Sequence, residues 1–333
     1  MSETMQTLKL ADTGRETTRL GYGCSSLMGA LGRRDSVELL EAAYDAGIRH
    51  FDVAPMYGYG AAEGCVGEFL ARHAGDVTVT TKYGIPAAKN QSLLGLGRRI
   101  AGPLVRRIPA MKRRLARAAT AVSAPAEKAS FTAEQARISL ERSLKELQTE
   151  RVDAWLLHEV EASDLRDEGL LRFLEDSVTS GKIGTFGVGS DGYKVEELLH
   201  LRPKYCRVVQ YEWSVLDAEI PDGGPFRIHH RALTDNFRSL HGALKRDAEL
   251  CRRWSALVGV DLTHLESLAN LMLKAALVFN LHSVILVSSK NPMHIEANVR
   301  VASDESLTGP ARRLHGLLQL EGVPSVRSIE VTA

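Results

Sequence analysis

Hydrophobic and polar positions follow two alternating patterns along this chain. Short runs of β-branched and other apolar residues recur, and longer stretches with apolar residues at helical spacing lie between them. This alternation is typical of strand–helix units around a parallel sheet. The predicted strands, in chain order, are residues 19–24, 50–53, 77–81, 152–157, 184–188, 207–210, 226–230 and 284–287. Eight strands close a small parallel barrel, so the pattern predicts an α/β fold, a (β/α)8 TIM barrel, as one domain over residues 1–333.

Capping residues mark where several helices begin. Thr132 with Gln135 makes a capping box for a long helix, and Asn291 before Pro292 predicts another helix start. Residues 211–225 leave room for only a short crossover between two strands. Further helices are predicted over residues 35–46, 64–73, 165–180, 194–200, 248–257 and 264–280.

Residues 87–130 form a long basic insertion after the third predicted strand. One acid, Glu127, stands there against ten basic residues: Lys89, Arg98, Arg99, Arg106, Arg107, Lys112, Arg113, Arg114, Arg117 and Lys128. Helical spacing of apolar residues predicts an amphipathic helix through Ile108, Met111, Leu115, Ala118 and Val122. Because loops after barrel strands lie on the catalytic face, we expect a basic lid over the site. A solvated mobile loop and a contact with a membrane surface or an acidic partner are the alternatives.

Composition excludes several classes of protein. The net charge of +1 gives no overall attraction to nucleic acid or membrane. The four cysteines show neither a C-x-x-C pair nor metal-ligand spacing, which predicts buried thiols and no metal site. The start of the sequence lacks the pattern of a signal peptide, and no apolar run approaches the roughly 18 residues of a membrane span. We expect a cytoplasmic protein, and the sequence leaves its oligomeric state open.

Polar side chains stand at the ends of three consecutive predicted strands. Asp52 ends the second strand and Tyr57 follows it, Lys82 ends the third, and His158 ends the fourth. Asp52 with Tyr57, or His158 alone, is more often structural than catalytic, whereas a charged Lys82 at this position needs a partner. Because the carboxyl ends of barrel strands share one face, all four can reach one pocket, and their coincidence favours a site.

These four groups make chemical sense together. A phenol with a pKa near 10 is a poor acid at neutral pH. A Lys82 ammonium beside Tyr57 would lower that pKa, and Asp52 would keep the lysine charged and in place. His158 could donate a hydrogen bond to a substrate oxygen. The set predicts proton delivery to an oxygen while a hydride reaches the adjoining carbon.

Three segments resemble the aldo-keto reductase family: FDVAPMYGYGAAEGCVGEFL, TTKYG and VDAWLLH. By this resemblance Asp52, Tyr57, Lys82 and His158 are the family's catalytic tetrad. The resemblance also implies NADPH or NADH bound without a Rossmann domain, and a small-molecule aldehyde or ketone as substrate of a reversible reduction.

Cofactor positions follow from the same resemblance. Gln210 would bind the nicotinamide carboxamide, Ser190 would add one side-chain contact, and His230 takes the place of the ring-stacking residue. The segment SSKNPMHIEAN resembles the family's phosphate-binding signature. The other implied cofactor positions are Gly23, Cys24, Ser288, Ser289, Lys290, His294 and Asn298. The positions expected to grip a 2′-phosphate hold Ser288 and His294, so the preference between NADH and NADPH stays open.

Alternatives to this interpretation exist for the fold and for the function. Residues 187–192 match G-x-G-x-x-G, with Glu212 twenty residues further on, which is the pattern of a Rossmann domain. On the barrel, the reaction could instead be the NAD-dependent oxidation of a sugar. A cofactor-sensing regulatory subunit is the third possibility. Aromatic candidates for the pocket wall are Tyr59, Tyr83 and Trp213.

Overall fold

A computed structural model describes residues 5–28, 31–73, 75–86, 129–218, 220, 223–233 and 235–322. All but the last two positions of the predicted lid, residues 87–130, lie outside these described residues, so the lid stays a prediction. Among the helices of the described residues, none has the length and apolar character needed to cross a membrane.

The strands form a short hairpin and a closed barrel. The hairpin pairs β1 (Thr7–Lys9) with β2 (Glu16–Thr18). The barrel strands are β3 (Leu20–Gly23), β4 (His50–Asp52), β5 (Thr78–Tyr83), β6 (Val152–His158), β7 (Ile183–Gly189), β8 (Val208–Glu212), β9 (Phe226–His230) and β10 (Ser283–Val287). They close in the order β10-β3-β4-β5-β6-β7-β8-β9, and all neighbours are parallel. The predicted (β/α)8-type barrel is confirmed.

Helices of the described residues surround this barrel. In chain order they are α1 (Arg33–Asp45), α2 (Ala62–His73), α3 (Ala133–Glu146), α4 (Glu168–Thr179), α5 (Gly192–Leu201), α6 (Asp235–Arg246), α7 (Ala248–Val258), α8 (Leu265–Phe279), α9 (Pro292–Ser303) and α10 (Thr308–Glu321). The predicted helix starts at Thr132 and Asn291 are confirmed: the Thr132 side chain accepts the Gln135 N–H, and the Asn291 side chain accepts the Met293 N–H. The predicted start of the first helix at Asp35 is wrong, because α1 begins at Arg33 after Gly32 and Asp35 lies in its first turn.

The closed barrel excludes the Rossmann alternative. The G-x-G-x-x-G match at residues 187–192 spans the end of β7 and the first residue of α5. Strand β7 pairs with β6 on one side and β8 on the other, inside the barrel. The match is therefore a coincidence of glycines at one strand–helix junction of the barrel. The interpretation of these residues as part of a Rossmann domain is wrong.

Side-chain alternation explains how one strand serves both core and site. A buried cluster that draws on four barrel strands consists of Leu156, Val208, Ile228, Val284 and Leu286. Successive side chains of a strand point to opposite faces, so residues two apart share a face. Two positions after members of this cluster stand His158, Gln210 and His230. The strands thus carry apolar side chains in the barrel and polar side chains at its carboxyl end.

Several elements differ from the sequence pattern. The pattern does not predict the hairpin, α6 or α10. The pattern misses helix α6 because its buried apolar residues, Phe237, Leu240, Ala243 and Leu244, are few among polar neighbours. Helix α4 begins at Glu168 and not at residue 165, because the Asp167 side chain accepts the Gly169 N–H and caps it there. The short crossover between β8 and β9 is confirmed, since its described residues contain no helix.

Helices α2 and α3 approach closely at Gly67, which gives a test of this packing. A Cβ on Gly67 would lie 2.5 Å from the Glu146 carbonyl oxygen and 2.9 Å from the Leu147 carbonyl carbon. Backbone atoms cannot move aside as a side chain can, so Gly67→Ala is expected to destabilise the protein by about 1–3 kcal/mol. Denaturant unfolding measures the change.

Gly64 in the same helix supplies the matched control. A Cβ there would lie 3.4 Å from a side-chain nitrogen of Arg33, which can move. Gly64→Ala is expected to cost nothing or to gain up to about 1 kcal/mol from helix propensity. Equal effects of the two substitutions would contradict the close approach.

Candidate active site

A buried ion pair lies at the carboxyl end of two adjacent strands. Asp52 ends β4, and Lys82 lies near the end of β5, which pairs with β4 in parallel. Lys82 Nζ is 2.5 Å from Asp52 Oδ1 and also donates to the Val53 carbonyl oxygen at 3.2 Å. Only 2% of the lysine side chain and 4% of the aspartate side chain are exposed. Burial is the largest single influence and lowers the pKa of Lys82, but Asp52 and Tyr57 together outweigh it, so the net pKa is raised and the lysine stays charged.

Gln210 connects this pair to a strand that is not next to either. It lies on β8 and its Nε2 donates to Asp52 Oδ2 at 2.8 Å. Both carboxylate oxygens of Asp52 therefore have a donor, as a buried carboxylate requires. The sequence gives no signal for this contact, because 158 positions separate the two residues and only the closed barrel brings them together.

A tight turn after β4 places Tyr57 over the ion pair. Gly58 and Tyr59 both have φ near +58°, a conformation that glycine adopts without strain. A Cβ on Gly58 would lie 2.5 Å from the Met28 Cβ, so the turn packs directly on the loop after β3. Lys82 Nζ lies 5.2 Å from the centre of the Tyr57 ring, so the ammonium charge acts directly on the phenol.

The acidity of Tyr57 reflects three opposing influences. The Lys82 ammonium has the largest effect and lowers the pKa of the phenol, as the sequence suggested. Burial and the Asp52 charge act in the opposite direction, and together they outweigh the lysine. The net pKa of Tyr57 lies above its ordinary value, so the lowering expected from the sequence is wrong, and the hydroxyl carries its proton at neutral pH.

Two neutral histidines stand at the same end of the barrel. Burial and the Lys82 charge lower the pKa of His158 to about 3, although Asp52 acts in the opposite direction. Burial also lowers the pKa of His230, the last residue of β9. An uncharged imidazole has one N–H donor and one acceptor nitrogen. His158 can therefore donate a hydrogen bond to a ligand oxygen without competing as an acid.

Exposure divides the site into two layers. Tyr57, His158 and His230 are half-buried and can touch a ligand. Asp52, Lys82 and Gln210 lie beneath them, each at most 3% exposed when the whole residue is counted. The upper layer is thus uncharged and the lower layer holds one charge of each sign. The upper layer can therefore donate one proton to a ligand while the charges of Asp52 and Lys82 in the lower layer do not change.

The surroundings of Ser190 show whether a nicotinamide ring fits this site. It follows β7, and its backbone N–H donates to the Gln210 carbonyl oxygen at 3.1 Å. Its side-chain oxygen is buried and has no hydrogen-bond partner among the described residues. A buried hydroxyl without a partner is unusual, and a bound amide group would supply one. The residues present therefore fit a nicotinamide carboxamide.

The segment after β10 places polar groups at the start of α9. Ser288, Lys290 and His294 are exposed there, whereas Ser289 and Asn298 are half-buried. The amino end of a helix favours anions, which suits the phosphates of a dinucleotide.

The end of β3 lies beside that segment. Gly23 is close to Ser288, since a Cβ on the glycine would lie 3.9 Å from the serine Cβ. Cys24, the next residue, is fully buried, and burial holds the pKa of its thiol well above the usual range. No side-chain atom of Cys24 is exposed to a ligand.

Two of the aromatic candidates for the pocket wall pack elsewhere. The Tyr83 ring stacks on Trp155 with centroids 5.6 Å apart, in the core cluster. Trp213 is 2% exposed, and its indole N–H donates to the Ala218 carbonyl oxygen. A position near a strand end does not show whether an aromatic side chain packs in the core or contacts a substrate, and these two residues pack in the core. Tyr59 is 45% exposed and remains a candidate.

Comparison with known proteins identifies the class to which the chain belongs. The aldo/keto reductase family model matches residues 19–308, which is most of the sequence. The chain is a member of the aldo/keto reductase family.

Curated relatives match over shorter stretches. Pyridoxal 4-dehydrogenase from Microbacterium luteolum is 44% identical over 78 residues, which cover 22% of this chain and 23% of the relative. D-threo-aldose 1-dehydrogenase from a Pseudomonas species is 31% identical over 186 residues, 54% of this chain and 52% of the relative. The chain thus matches about half, or less, of the length of these relatives.

Solved structures share the fold over nearly the whole chain. An aldo-keto reductase from Bacillus halodurans, in its holo form, superposes with a TM-score of 0.66 at 16% identity, covering 93% of this chain and 96% of its own. An aldo-keto reductase from Klebsiella pneumoniae in complex with NADPH gives a TM-score of 0.60 at 17% identity, with 98% coverage of both chains. At these identities the likeness establishes the barrel.

Breaking the buried ion pair is expected to destabilise the protein strongly. Lys82→Met leaves the Asp52 charge buried with only the Gln210 amide beside it. The expected loss is about 3–5 kcal/mol, measured by denaturant unfolding.

The double variant Asp52→Asn/Lys82→Met is the control. It removes both charges and keeps an acceptor for Gln210, so it is expected to recover most of the lost stability. A double variant as unstable as Lys82→Met would show that the cost comes from lost packing and not from an unpaired charge.

Proposed function

We propose that this chain is an NAD(P)(H)-dependent oxidoreductase that reversibly reduces an aldehyde or ketone to an alcohol. The observation that carries the proposal is the arrangement of Tyr57 over Lys82, with Asp52 holding the lysine. Neutral His158 beside them adds the hydrogen-bond donor that a carbonyl oxygen needs.

Tyr57 acts as the proton donor in the reductive direction. As the carbonyl is reduced, its oxygen becomes an alkoxide, which is a stronger base than a phenolate. Transfer from Tyr57 is therefore favourable even though burial and Asp52 raise the pKa of the phenol. The Lys82 ammonium then stabilises the phenolate that remains. His158 orients the carbonyl oxygen through its N–H.

The dinucleotide would lie between two groups of residues. Ser190, His230 and the Gln210 amide would hold the nicotinamide end, and the start of α9 would hold the phosphates near the adenosine. When bound, the cofactor supplies the hydride for the carbonyl carbon, or accepts it in the reverse direction. Gln210 already donates one N–H to Asp52 at 2.8 Å, so its amide oxygen and its second N–H are the groups available to the carboxamide.

A sugar dehydrogenase is the second candidate function. The relative named D-threo-aldose 1-dehydrogenase supports it, because the same site run in reverse would oxidise a sugar hydroxyl. Rates with NAD on aldoses and with NADPH on simple aldehydes decide between the two directions. A purely cofactor-sensing subunit is disfavoured by the complete set of four polar residues, and turnover of a generic aldehyde excludes it.

Other expectations from the sequence remain proposals. All four cysteines are free and buried, which supports a reducing cytosol as the compartment. The single-domain organisation and the basic lid also stay proposals.

Removing the Tyr57 hydroxyl tests the proposed function. Tyr57→Phe is expected to lower turnover of an aldehyde by about 10²–10⁴-fold, because no proton donor remains. Cofactor affinity should stay within a few-fold, since the hydroxyl serves the substrate oxygen. Steady-state kinetics and fluorescence titration of the cofactor measure the two effects.

Tyr193→Phe is the matched control. That tyrosine is 69% exposed and lies on α5, so its hydroxyl should not affect turnover. If Tyr57→Phe kept more than about half of the wild-type rate, Tyr57 would not be the acid and the proposal would fail.

NADH is expected to bind at least as well as NADPH. A 2′-phosphate prefers guanidinium or ammonium partners, and Ser288 and His294 occupy the implied positions. Ser288→Arg should shift the ratio of dissociation constants toward NADPH by about 10-fold or more, since a hydrogen bond to a charged group contributes about 1.5–3 kcal/mol. A wild-type dissociation constant for NADPH a hundredfold below that for NADH would contradict the expectation.

A further inference from the structure

A cavity lies at the end of the barrel opposite the site. It has a volume of about 230 Å³ and lies between the start of β3, the last turns of α8 and the start of α10. Arg19, which lines it, directly precedes the first residue of β3, so the cavity adjoins the amino ends of the strands. None of the proposed catalytic or cofactor residues lines it. We call it the basal cavity.

Basic side chains dominate this cavity. Arg19, Lys274 and Arg312 line it, and Glu305 is the one acidic residue among the described residues around it. The side chains therefore carry a net charge of +2. The carboxyl end of α8, which is partly negative, lines the cavity too. So does Thr308 at the amino end of α10, which is partly positive, and the two helix dipoles therefore offset each other. The charged side chains therefore make the cavity electrostatically positive.

Two of these cations are buried without equivalent countercharge. Arg19 is 8% exposed and Lys274 is 3% exposed. Lys274 Nζ has the Ala302 carbonyl oxygen at 3.1 Å and Glu305 Oε1 at 3.5 Å, but the glutamate side chain is 60% exposed. A buried charge is costly unless an opposite charge accompanies it, and one solvated carboxylate serves both cations here.

Arg19 is held by neutral oxygens alone. Its guanidinium donates to the Gln6 side chain and to the carbonyl oxygens of Leu277 and Asn280. Its Nε is buried and has no hydrogen-bond partner among the described residues. The contrast with Lys82 is direct, because that buried cation has a buried carboxylate at 2.5 Å.

We propose that the basal cavity binds a small dianion of the phosphate class. Two buried cations and the more exposed Arg312 would supply charge-assisted hydrogen bonds to its oxygens, and the anion would supply the missing countercharge. The volume of about 230 Å³ suffices for such an ion with a few waters, since one water takes about 30 Å³. The site goes beyond the proposed reaction, because it lies at the other end of the barrel.

Inorganic phosphate is the probe that tests this site. Thermal unfolding of the full chain is followed as phosphate replaces chloride at constant ionic strength, and titration calorimetry gives the dissociation constant. The wild-type melting temperature is expected to rise with the logarithm of the phosphate concentration, by about 2–4 °C at tenfold excess over the dissociation constant, while the calorimetric binding curve saturates. Lys274→Met should abolish the rise, and should melt within about 2 °C of wild type in phosphate-free buffer.

Lys245→Met is the charge-matched control. Lys245 is exposed in the last turn of α6, away from the cavity, so this variant should keep the full response to phosphate. Equal responses of wild type and Lys274→Met would overturn the proposal, because the phosphate would then act elsewhere or as a general salt. A lower melting temperature of Lys274→Met without phosphate, together with no phosphate-dependent rise in wild type, would overturn the proposal, because the lysine would then only stabilise the fold.

Arg312→Met keeps the proposal testable if Lys274→Met fails to fold. Arg312 is exposed and its guanidinium lies 5.5 Å from the centre of the Phe279 ring, a contact weak enough at an exposed site that its loss is expected to leave the chain folded. Loss of its charge should weaken phosphate binding several-fold and leave aldehyde turnover unchanged. An unchanged dissociation constant would overturn the proposal.

Discussion

The buried contact between Lys82 and Asp52 constrains the rest of this molecule. Neither charge could remain inside the barrel alone, because desolvation of a single ion costs several kcal/mol. Strands β4 and β5 must therefore be adjacent and in a register that brings the two side chains to 2.5 Å. Gln210 from β8 completes the hydrogen bonds of the carboxylate. The ion pair thus needs the closed barrel, and the upper layer of the site rests on the ion pair.

The upper layer stays uncharged because the lower layer is balanced. Burial and the Lys82 charge keep His158 neutral, and burial keeps His230 neutral as well. Tyr57 retains its proton because burial and Asp52 outweigh the lysine. A single transferable proton, flanked by neutral hydrogen-bonding groups, suits chemistry at a carbonyl oxygen. The two ends of the barrel differ in charge balance. At the carboxyl end a buried carboxylate balances the buried lysine, whereas the buried cations at the amino end lack a buried carboxylate.

Much of the fold followed from local patterns. The eight barrel strands were predicted to within a few residues, because β-branched runs bounded by turn residues leave few alternatives. The caps at Thr132 and Asn291 were also correct, since a cap depends on neighbours in sequence. Helix α6 and the hairpin were missed, because their few apolar residues gain their stability from tertiary contacts. Tyr83 and Trp213 show the same limit, since strand ends carry both packing and site residues.

The sequence by itself was enough to predict the barrel fold, the resemblance to the family and a site made of four polar residues at three strand ends. These are local properties, set by periodicity, turn chemistry and short motifs. Only the tertiary structure decided that Gln210 donates to Asp52, that the pKa of Tyr57 is raised, and that Arg19 and Lys274 share one cavity. Each of these depends on burial and on distances between residues far apart in the chain. Local sequence does not encode such distances, because they are fixed when the barrel closes.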